Sequence, residues 1–132
     1  MKKSFIAAIG VLVTALALTS CSSGSSAKKV DPQGFFDATQ QAGIVVLDVR
    51  TPAEFAEGHL LNAINVDFES GNFVEEIASL DKSATYAVYC RSGNRSGQAT
   101  AVMSKAGFEN MYDLQGGVLD WQAAGGTLVN NQ

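Results

Sequence analysis

Cysteine, histidine and arginine are scarce in this sequence of 132 residues. It contains two cysteines, one histidine and three arginines, and its 13 acidic residues outnumber its 9 basic ones. Because Cys21 falls at the end of an N-terminal leader, Cys90 has no second cysteine in the rest of the chain for an intramolecular disulfide. No basic run follows the leader except Lys28–Lys29, so we do not expect nucleic acid as a partner.

The leader also lacks an apolar run long enough for a membrane-spanning helix. Two lysines precede the apolar segment Phe5–Leu18, which is shorter than the ~20 residues that a bilayer requires. The segment ends in "LTSC", which resembles the lipobox of bacterial lipoprotein precursors. The resemblance implies a signal peptide over residues 1–20 and a lipid anchor on Cys21. An ordinary cleaved secretory signal and an uncleaved anchor remain alternatives.

The resemblance to lipoproteins also predicts where the protein lies and how it is divided. It implies a location in the cell envelope, facing the periplasm, and Ser22 after the lipidated cysteine favours the outer membrane. Residues 21–29, with the polar stretch "SSGSSAKK", are predicted to form a flexible tether. Residues 30–130 suit one modest domain, which we expect to be monomeric.

From Val30 onward, segments typical of strands alternate with segments typical of helices. The predicted strands are "IVVLDV", "NAINV", "TYAVY" and "MYDL", and the continuous apolar runs favour strands buried on both faces. The predicted helices are "DPQGFFDATQQAG", "TPAEFAEG", "NFVEEIASL", "SGQATAVMSKAG" and "GGVLDWQAAGG". This alternation predicts a parallel, doubly wound α/β sheet, in which ligands bind beyond the carboxyl ends of the strands.

Particular residues of these helices are expected to cap them or to face the core. Asp31 is predicted to cap the first helix before a proline, and Gly43 to terminate it. The spacing in the third helix predicts one apolar face, formed by Phe73, Val74, Ile77 and Leu80. In the last two helices the residues predicted to face inward are Ala99, Val102, Met103 and Trp121.

The segment "YCRSGNRSGQAT" places Cys90 at a junction of strand, turn and helix. Such a junction directs several backbone N–H groups and a helix N-terminus at one point, and Gly93 permits the backbone angles of a tight turn. Arg91 and Arg95 add positive charge, so the surroundings should favour a nucleophilic thiolate. The alternative is a core cysteine at the end of a strand, followed by two solvated arginines.

Three stretches of the chain resemble one known family. "CRSGNRS" resembles the active-site loop of the rhodanese sulfurtransferases, and "LDVRTPAEFAEGHLLNAINV" and "GFENMYDLQGGVLDW" are similar to the stretches before and after it. The resemblance extends from Val30 to Gly126 and implies a central parallel five-stranded sheet flanked by helices. It also implies that Cys90 accepts sulfane sulfur as a persulfide and passes it to a nucleophilic acceptor.

The resemblance further implies the ligands and the residues that bind them. The donor would be thiosulfate or another small anionic sulfur compound or persulfide, the acceptor would be cyanide or a thiol, and no metal or organic cofactor is required. The binding loop would comprise Arg91, Ser92, Gly93, Asn94, Arg95 and Ser96. Within it, Arg95 is expected to reach over the pocket, whereas Arg91 is expected to point outward at its mouth.

The polar residues of the first motif are expected to be mainly structural. Asp48 and Arg50 would form a buried ion pair or loop brace, although Arg50 at a strand end could also line the pocket mouth. His59 would help to cap a turn with Gly58.

Two other functions remain open at this stage. One is a cysteine-dependent phosphatase or arsenate reductase, and the other is a non-enzymatic rhodanese-like binding module. Cysteine phosphatases separate Cys and Arg by five residues, whereas Cys90 and Arg95 are separated by four. This shorter loop favours a single sulfur over a tetrahedral phosphoryl group.

Overall fold

The computed structural model describes residues 27–130, and its elements alternate as the sequence predicts. The predicted signal peptide, Cys21 and most of the predicted tether lie outside the described residues. The elements are β1 (Lys28–Val30), α1 (Pro32–Thr39), β2 (Val45–Asp48), α2 (Pro52–Glu57), β3 (Ile64–Asn65), α3 (Phe73–Ile77), β4 (Thr85–Tyr89), α4 (Asn94–Lys105), β5 (Asn110–Leu114) and α5 (Gly117–Ala123). No helix among these is long and apolar enough to cross a membrane.

Within the described residues, five parallel strands form one sheet in the order β1-β5-β4-β2-β3. Helices α3 and α4 pack on one face, where Ile77 and Met103 contact a core that contains Val88. Helices α1 and α5 cover the other face, where Phe35 packs with Tyr89. Both faces are therefore buried, as the continuous apolar runs predicted, and the doubly wound parallel sheet is confirmed.

The first two helices begin with side-chain caps. The Asp31 carboxylate accepts a hydrogen bond from the Gly34 N–H at 2.8 Å, at the start of α1. At the start of α2, Thr51 and Glu54 form a reciprocal capping box, since each side chain accepts the backbone N–H of the other residue. Near the end of α5, Trp121 packs edge-on against Phe35, with ring centroids 6.2 Å apart.

The predicted apolar face of α3 is wrong at one position. Phe73 and Ile77 are buried, but Val74 is 57% exposed. Consecutive residues of a helix point about 100° apart, and α3 has only five residues, so a single turn cannot bury both Phe73 and Val74.

The predicted tether extends two residues too far. Lys28 and Lys29 belong to β1, where they pair with Tyr112 and Asp113 of β5. This short strand has no alternating apolar pattern, because it lies at the edge of the sheet and pairs through its backbone while both lysine side chains remain exposed. For this reason the apolar pattern of the sequence predicts only four of the five strands and leaves out β1.

Candidate active site

Cys90 directly follows β4, the central strand, and its side chain is almost completely buried. The Sγ atom accepts a hydrogen bond from the Gly93 N–H at 3.1 Å. It also lies 3.5 Å from the Ser96 hydroxyl oxygen, in the first turn of α4. The sulfur therefore lies at the N-terminus of a twelve-residue helix, where the helix dipole favours negative charge.

The loop between β4 and α4 depends on a glycine with a left-handed backbone conformation. Gly93 has φ +94° and is the N-cap of α4. A Cβ atom at this position would lie 3.2 Å from the backbone nitrogen of Gly116. Gly93 thus turns its amide toward the sulfur in a space that has little room for a side chain.

The start of α5 holds the same loop from the other side. The Val118 N–H donates to the Cys90 carbonyl at 2.9 Å, and the Leu119 N–H donates to the Arg91 carbonyl at 3.1 Å. A Cβ atom on Gly117 would lie 2.5 Å from the carbonyl carbon of Arg91. Close backbone contact therefore requires glycine at this position. The sequence signal for it is the pair of glycines that opens the last predicted helix.

Arg95 is engaged in ion pairs with two glutamates. Its Nη1 and Nη2 atoms each lie 2.7 Å from an oxygen of Glu54, and Nη1 lies 3.0 Å from Glu69. The hydrogen bonds from Arg95 lower the pKa of Glu54 to about 2. The positive charge of Arg95 is thus compensated by carboxylates of the protein. Arg95 connects α4 to α2, whereas the sequence analysis expects it to reach over the pocket.

Arg91 has very different surroundings from Arg95. Its side chain is exposed and forms no ion pair or hydrogen bond with any residue in the described part of the chain. Ser92 is exposed beside it, and Asn94 is exposed with its amide oxygen bound to Gln98 at 2.7 Å. Of the two arginines in the loop, Arg91 is therefore the one whose charge is available to an incoming anion.

Asp48 and Arg50 form the buried ion pair that the sequence predicts. Arg50 Nη2 lies 2.6 Å from Asp48 Oδ2 and 2.7 Å from the Gly58 carbonyl oxygen. The Tyr89 hydroxyl donates to the same carboxylate at 2.6 Å, and burial followed by the Asp48 charge raises the pKa of Tyr89. Only 5% of Arg50 is exposed, so its guanidinium braces the end of β2.

His59 is buried in a structural setting. Its Nδ1 atom lies 2.9 Å from the Phe55 carbonyl oxygen, and its ring stacks on the Phe55 ring with centroids 3.7 Å apart. Its backbone exchanges two hydrogen bonds with Val129. These contacts hold the end of α2 against the C-terminal segment.

Three participants in the site were not identified from the sequence. Glu54 pairs with Arg95, Gly117 supports the loop, and Asp113 on β5 is a carboxyl group whose pKa is raised by burial. Glu54 is one of the polar residues of the first motif, but the sequence does not indicate its partner Arg95, and Asp113 is predicted only as part of a strand. Within residues 27–130, no group of three or more His, Cys, Asp or Glu residues could hold a metal ion.

Comparisons with known proteins agree with this geometry. The family profile of the rhodanese-like domain matches residues 32–124. The thiosulfate sulfurtransferase GlpE of Pseudomonas putida is 33% identical over 99 residues, which cover 75% of this chain and 88% of that protein. The crystal structure of a rhodanese-related protein from Thermoplasma volcanium has a TM-score of 0.70 and 29% identity, covering 79% of this chain and 99% of that one.

Another relative carries a different activity. The tRNA uridine(34) hydroxylase of Aster yellows witches'-broom phytoplasma is 31% identical over 94 residues. The match covers 68% of this chain but only 30% of that protein, so the similarity concerns one part of a longer chain.

Proposed function

The chain belongs to the rhodanese-like family, and we propose that it is a sulfurtransferase in which Cys90 carries the transferred sulfur as a persulfide. The observation that carries the proposal is the position of the Cys90 sulfur. It lies after the central strand at the N-terminus of α4 and accepts the Gly93 amide at 3.1 Å. An amide donor and a helix dipole stabilise a sulfur anion, which both the thiolate and the persulfide are.

The proposed reaction consists of two displacements on sulfur. The Cys90 thiolate attacks the outer sulfur of thiosulfate, the S–S bond of the donor breaks, and sulfite leaves with the electron pair. A nucleophilic acceptor such as cyanide or a thiol then attacks the outer sulfur of the Cys90 persulfide. The S–S bond of the persulfide breaks, the thiolate is regenerated, and the kinetics are ping-pong.

Arg91 is the residue that we propose to attract the anionic donor. Arg91 directly follows Cys90 in the chain, and its exposed side chain has no carboxylate partner among the described residues. A positive charge at the mouth raises the local concentration of a dianion such as thiosulfate. Arg95 instead fixes the first turn of α4 through Glu54, and therefore fixes Ser96 beside the sulfur.

Cys90→Ser tests the proposed nucleophile. The substitution is nearly isosteric, so we expect the variant to fold, to lose thiocyanate formation from thiosulfate and cyanide, and to gain no sulfur atom by intact-protein mass spectrometry. Ser83→Ala, on an exposed turn before the end of β4 opposite to Cys90, is the control that should retain both signals. Activity of Cys90→Ser within about tenfold of wild type would contradict the mechanism.

The same purified protein tests the two alternative functions, a cysteine-dependent phosphatase or arsenate reductase and a non-enzymatic binding module. A phosphatase assay tests the first, which the four residues between Cys90 and Arg95 disfavour. The similarity to part of tRNA uridine(34) hydroxylase does not favour tRNA as a substrate of this chain, because Lys28–Lys29 is the only basic run in the described region. A non-enzymatic module would form no persulfide on Cys90.

We also propose that the domain is attached to the cell envelope through Cys21. The motif "LTSC" after an apolar segment of lipoprotein signal length is the support for this location. Thiosulfate and thiols would then be supplied on the periplasmic side of the membrane.

A further inference from the structure

Three of the four lysines that follow the leader lie at one end of the sheet. Lys28 lines a polar cleft with Thr85, the first residue of β4. Lys82 lies in the turn before β4, and a Cβ on Gly107 would be 3.6 Å from its Cδ atom, just beyond Lys105 in the last turn of α4. Lys28, Lys82 and Lys105, here called the lysine end, are exposed and form no ion pair within the described part of the chain.

Cys90 lies at the opposite end of this parallel sheet, where the balance of charge is different. It follows the last residue of β4, about 17 Å from the first residue of that strand. At the lysine end, the exposed carboxylates of Asp81 and Glu109 offset part of the positive charge. At the Cys90 end, the loops and helix starts that follow the strands carry more carboxylates than Arg91 and Arg95 can offset. These carboxylates belong to Asp31, Glu54, Asp67, Glu69 and Asp120.

The chain enters the domain from the same end of the sheet as the lysines. Because β1 runs parallel to β5, Ala27 leads into β1 from the end at which β5 begins. Cys21 precedes Lys28 by seven positions, which span at most about 25 Å when fully extended. A lipid on Cys21 would therefore keep Lys28 within this distance of the bilayer surface.

We propose that the lysine end binds the anionic phospholipid headgroups of the bilayer that holds the Cys21 lipid, so that Cys90 faces away from the membrane. This orientation depends on the proposed lipid anchor. An anionic surface attracts nearby lysines, and the attraction acts within a Debye length of about 8 Å at physiological ionic strength. The anchor raises the effective concentration of the lysines at the surface, so a few charges are enough to orient the domain.

The charges around the active site disfavour the opposite orientation. Turning Cys90 toward the bilayer would bring the carboxylates of Asp67 and Asp120 against anionic headgroups and would withdraw the lysines from them. With the lysine end on the bilayer, the exposed side chain of Arg91 faces water. Donor and acceptor then reach Cys90 from the aqueous phase and not from within the membrane.

Energy transfer measures how close each end of the domain lies to the bilayer. The full chain is expressed with Cys90→Ser and processed by the cell, and a donor dye is attached to Ser83→Cys beside the lysine end or to Ser92→Cys in the active-site loop. The protein is added to vesicles that carry an acceptor dye on their headgroups. The vesicles consist of phosphatidylcholine alone or mixed with an equal amount of phosphatidylglycerol. In the mixed vesicles, transfer should be about twofold or more higher from Ser83→Cys, and high salt should reduce the difference.

Two reversals of charge show whether the lysines cause this difference. Lys82→Glu should reduce the difference in energy transfer between the two dyes. Arg91→Glu changes the charge by the same amount at the other end and should not reduce it. Equal transfer from both dyes in the mixed vesicles, or an equal reduction by the two reversals, would overturn the proposal. A difference of the same size in phosphatidylcholine alone would also overturn it, because the tether and not the lysines would then set the orientation.

Sedimentation with vesicles of phosphatidylcholine alone tests the anchor separately from the lysines. Protein that does not sediment with these neutral vesicles refutes the lipid anchor, and the orientation with it. Protein that sediments but shows equal energy transfer from the two dyes in the mixed vesicles refutes the role of the lysine end alone. Because every dye is carried by a Cys90→Ser chain, neither result depends on the proposed sulfurtransferase activity.

Discussion

The two arginines of the active-site loop are only four positions apart, yet they have different partners. Arg95 is held by Glu54 and Glu69, whereas the exposed side chain of Arg91 has no ion-pair partner among the described residues. A guanidinium already bound by two carboxylates would have to break those contacts to bind a donor. For this reason the proposed role of anion binding is given to Arg91 rather than to Arg95.

Arg91→Ala should lower kcat/KM for thiosulfate by about three- to tenfold, because the lost charge is exposed and partly screened. The loss should shrink at high salt and should be small for a neutral persulfide donor. Arg91→Lys, which keeps the charge, should recover most of the activity at low salt. Steady-state kinetics with both donors at two ionic strengths measure the effect.

Arg95→Ala provides the comparison for that experiment. Because the ion pairs of Arg95 order the start of α4, Arg95→Ala should lower kcat/KM for thiosulfate and for the neutral persulfide donor to a similar extent. A loss confined to thiosulfate would show that Arg95 binds the anion directly and that Arg91 does not account for donor selectivity.

Helices α2 and α4 are joined by one glutamate with two functions. Glu54 accepts the Thr51 N–H in the capping box of α2 and binds both terminal nitrogens of Arg95 in α4. The hydrogen bonds from Arg95 lower the pKa of Glu54 from 4.5 to about 2. The folded state therefore binds the Glu54 proton more weakly than the unfolded chain does.

Glu54→Gln should destabilise the fold in a pH-dependent way. The contribution of the Glu54 charge is fully present above about pH 4.5 and is lost as the pH falls through about 2. The difference in unfolding free energy between wild type and Glu54→Gln should thus be large at neutral pH and should decrease steadily below about pH 4.5. Urea denaturation at several pH values measures it, and Glu57→Gln, on the exposed side of α2, should show no comparable trend.

The contact between α5 and the active-site loop depends on Gly117. Gly117→Ala would place a Cβ 2.5 Å from the Arg91 backbone, in addition to the cost of φ +60°. Gly43→Ala is the matched control, since Gly43 has φ +77° but nothing within 4 Å of an added Cβ. We expect Gly43→Ala to cost about 1 kcal/mol and to leave activity intact, and Gly117→Ala to cost more and to lower kcat. Equal effects of the two substitutions would show that the loop tolerates the added atom.

For the molecule as a whole, an acidic rhodanese-like domain follows a leader that resembles a lipoprotein signal. The described domain begins its first strand at Lys28, seven residues after Cys21. This leaves a short polar segment between the proposed lipid and the edge of the sheet. Activity should therefore be separable from attachment.

Cys21→Ala should block lipidation and leave the protein unprocessed or released from membranes, while the specific activity of the domain remains unchanged. Membrane fractionation and mass spectrometry of the N-terminus are the measurements. Cys21→Ala protein that is processed and attached like wild type would contradict the lipobox interpretation.

The sequence by itself determined the elements whose causes are local. Buried strands appear as apolar runs such as Val45–Asp48, helix starts carry Asp31 and Thr51 as caps, and Cys90 follows the central strand. The tertiary structure decided which distant side chains meet. It paired Arg95 with Glu54, 41 positions earlier in the chain, and packed the Asp113 carboxyl group against Gly97 of α4. These contacts depend on the order of the strands and on the packing of α4 against β5. The hydrophobic pattern of the sequence predicts single elements but neither of these two features.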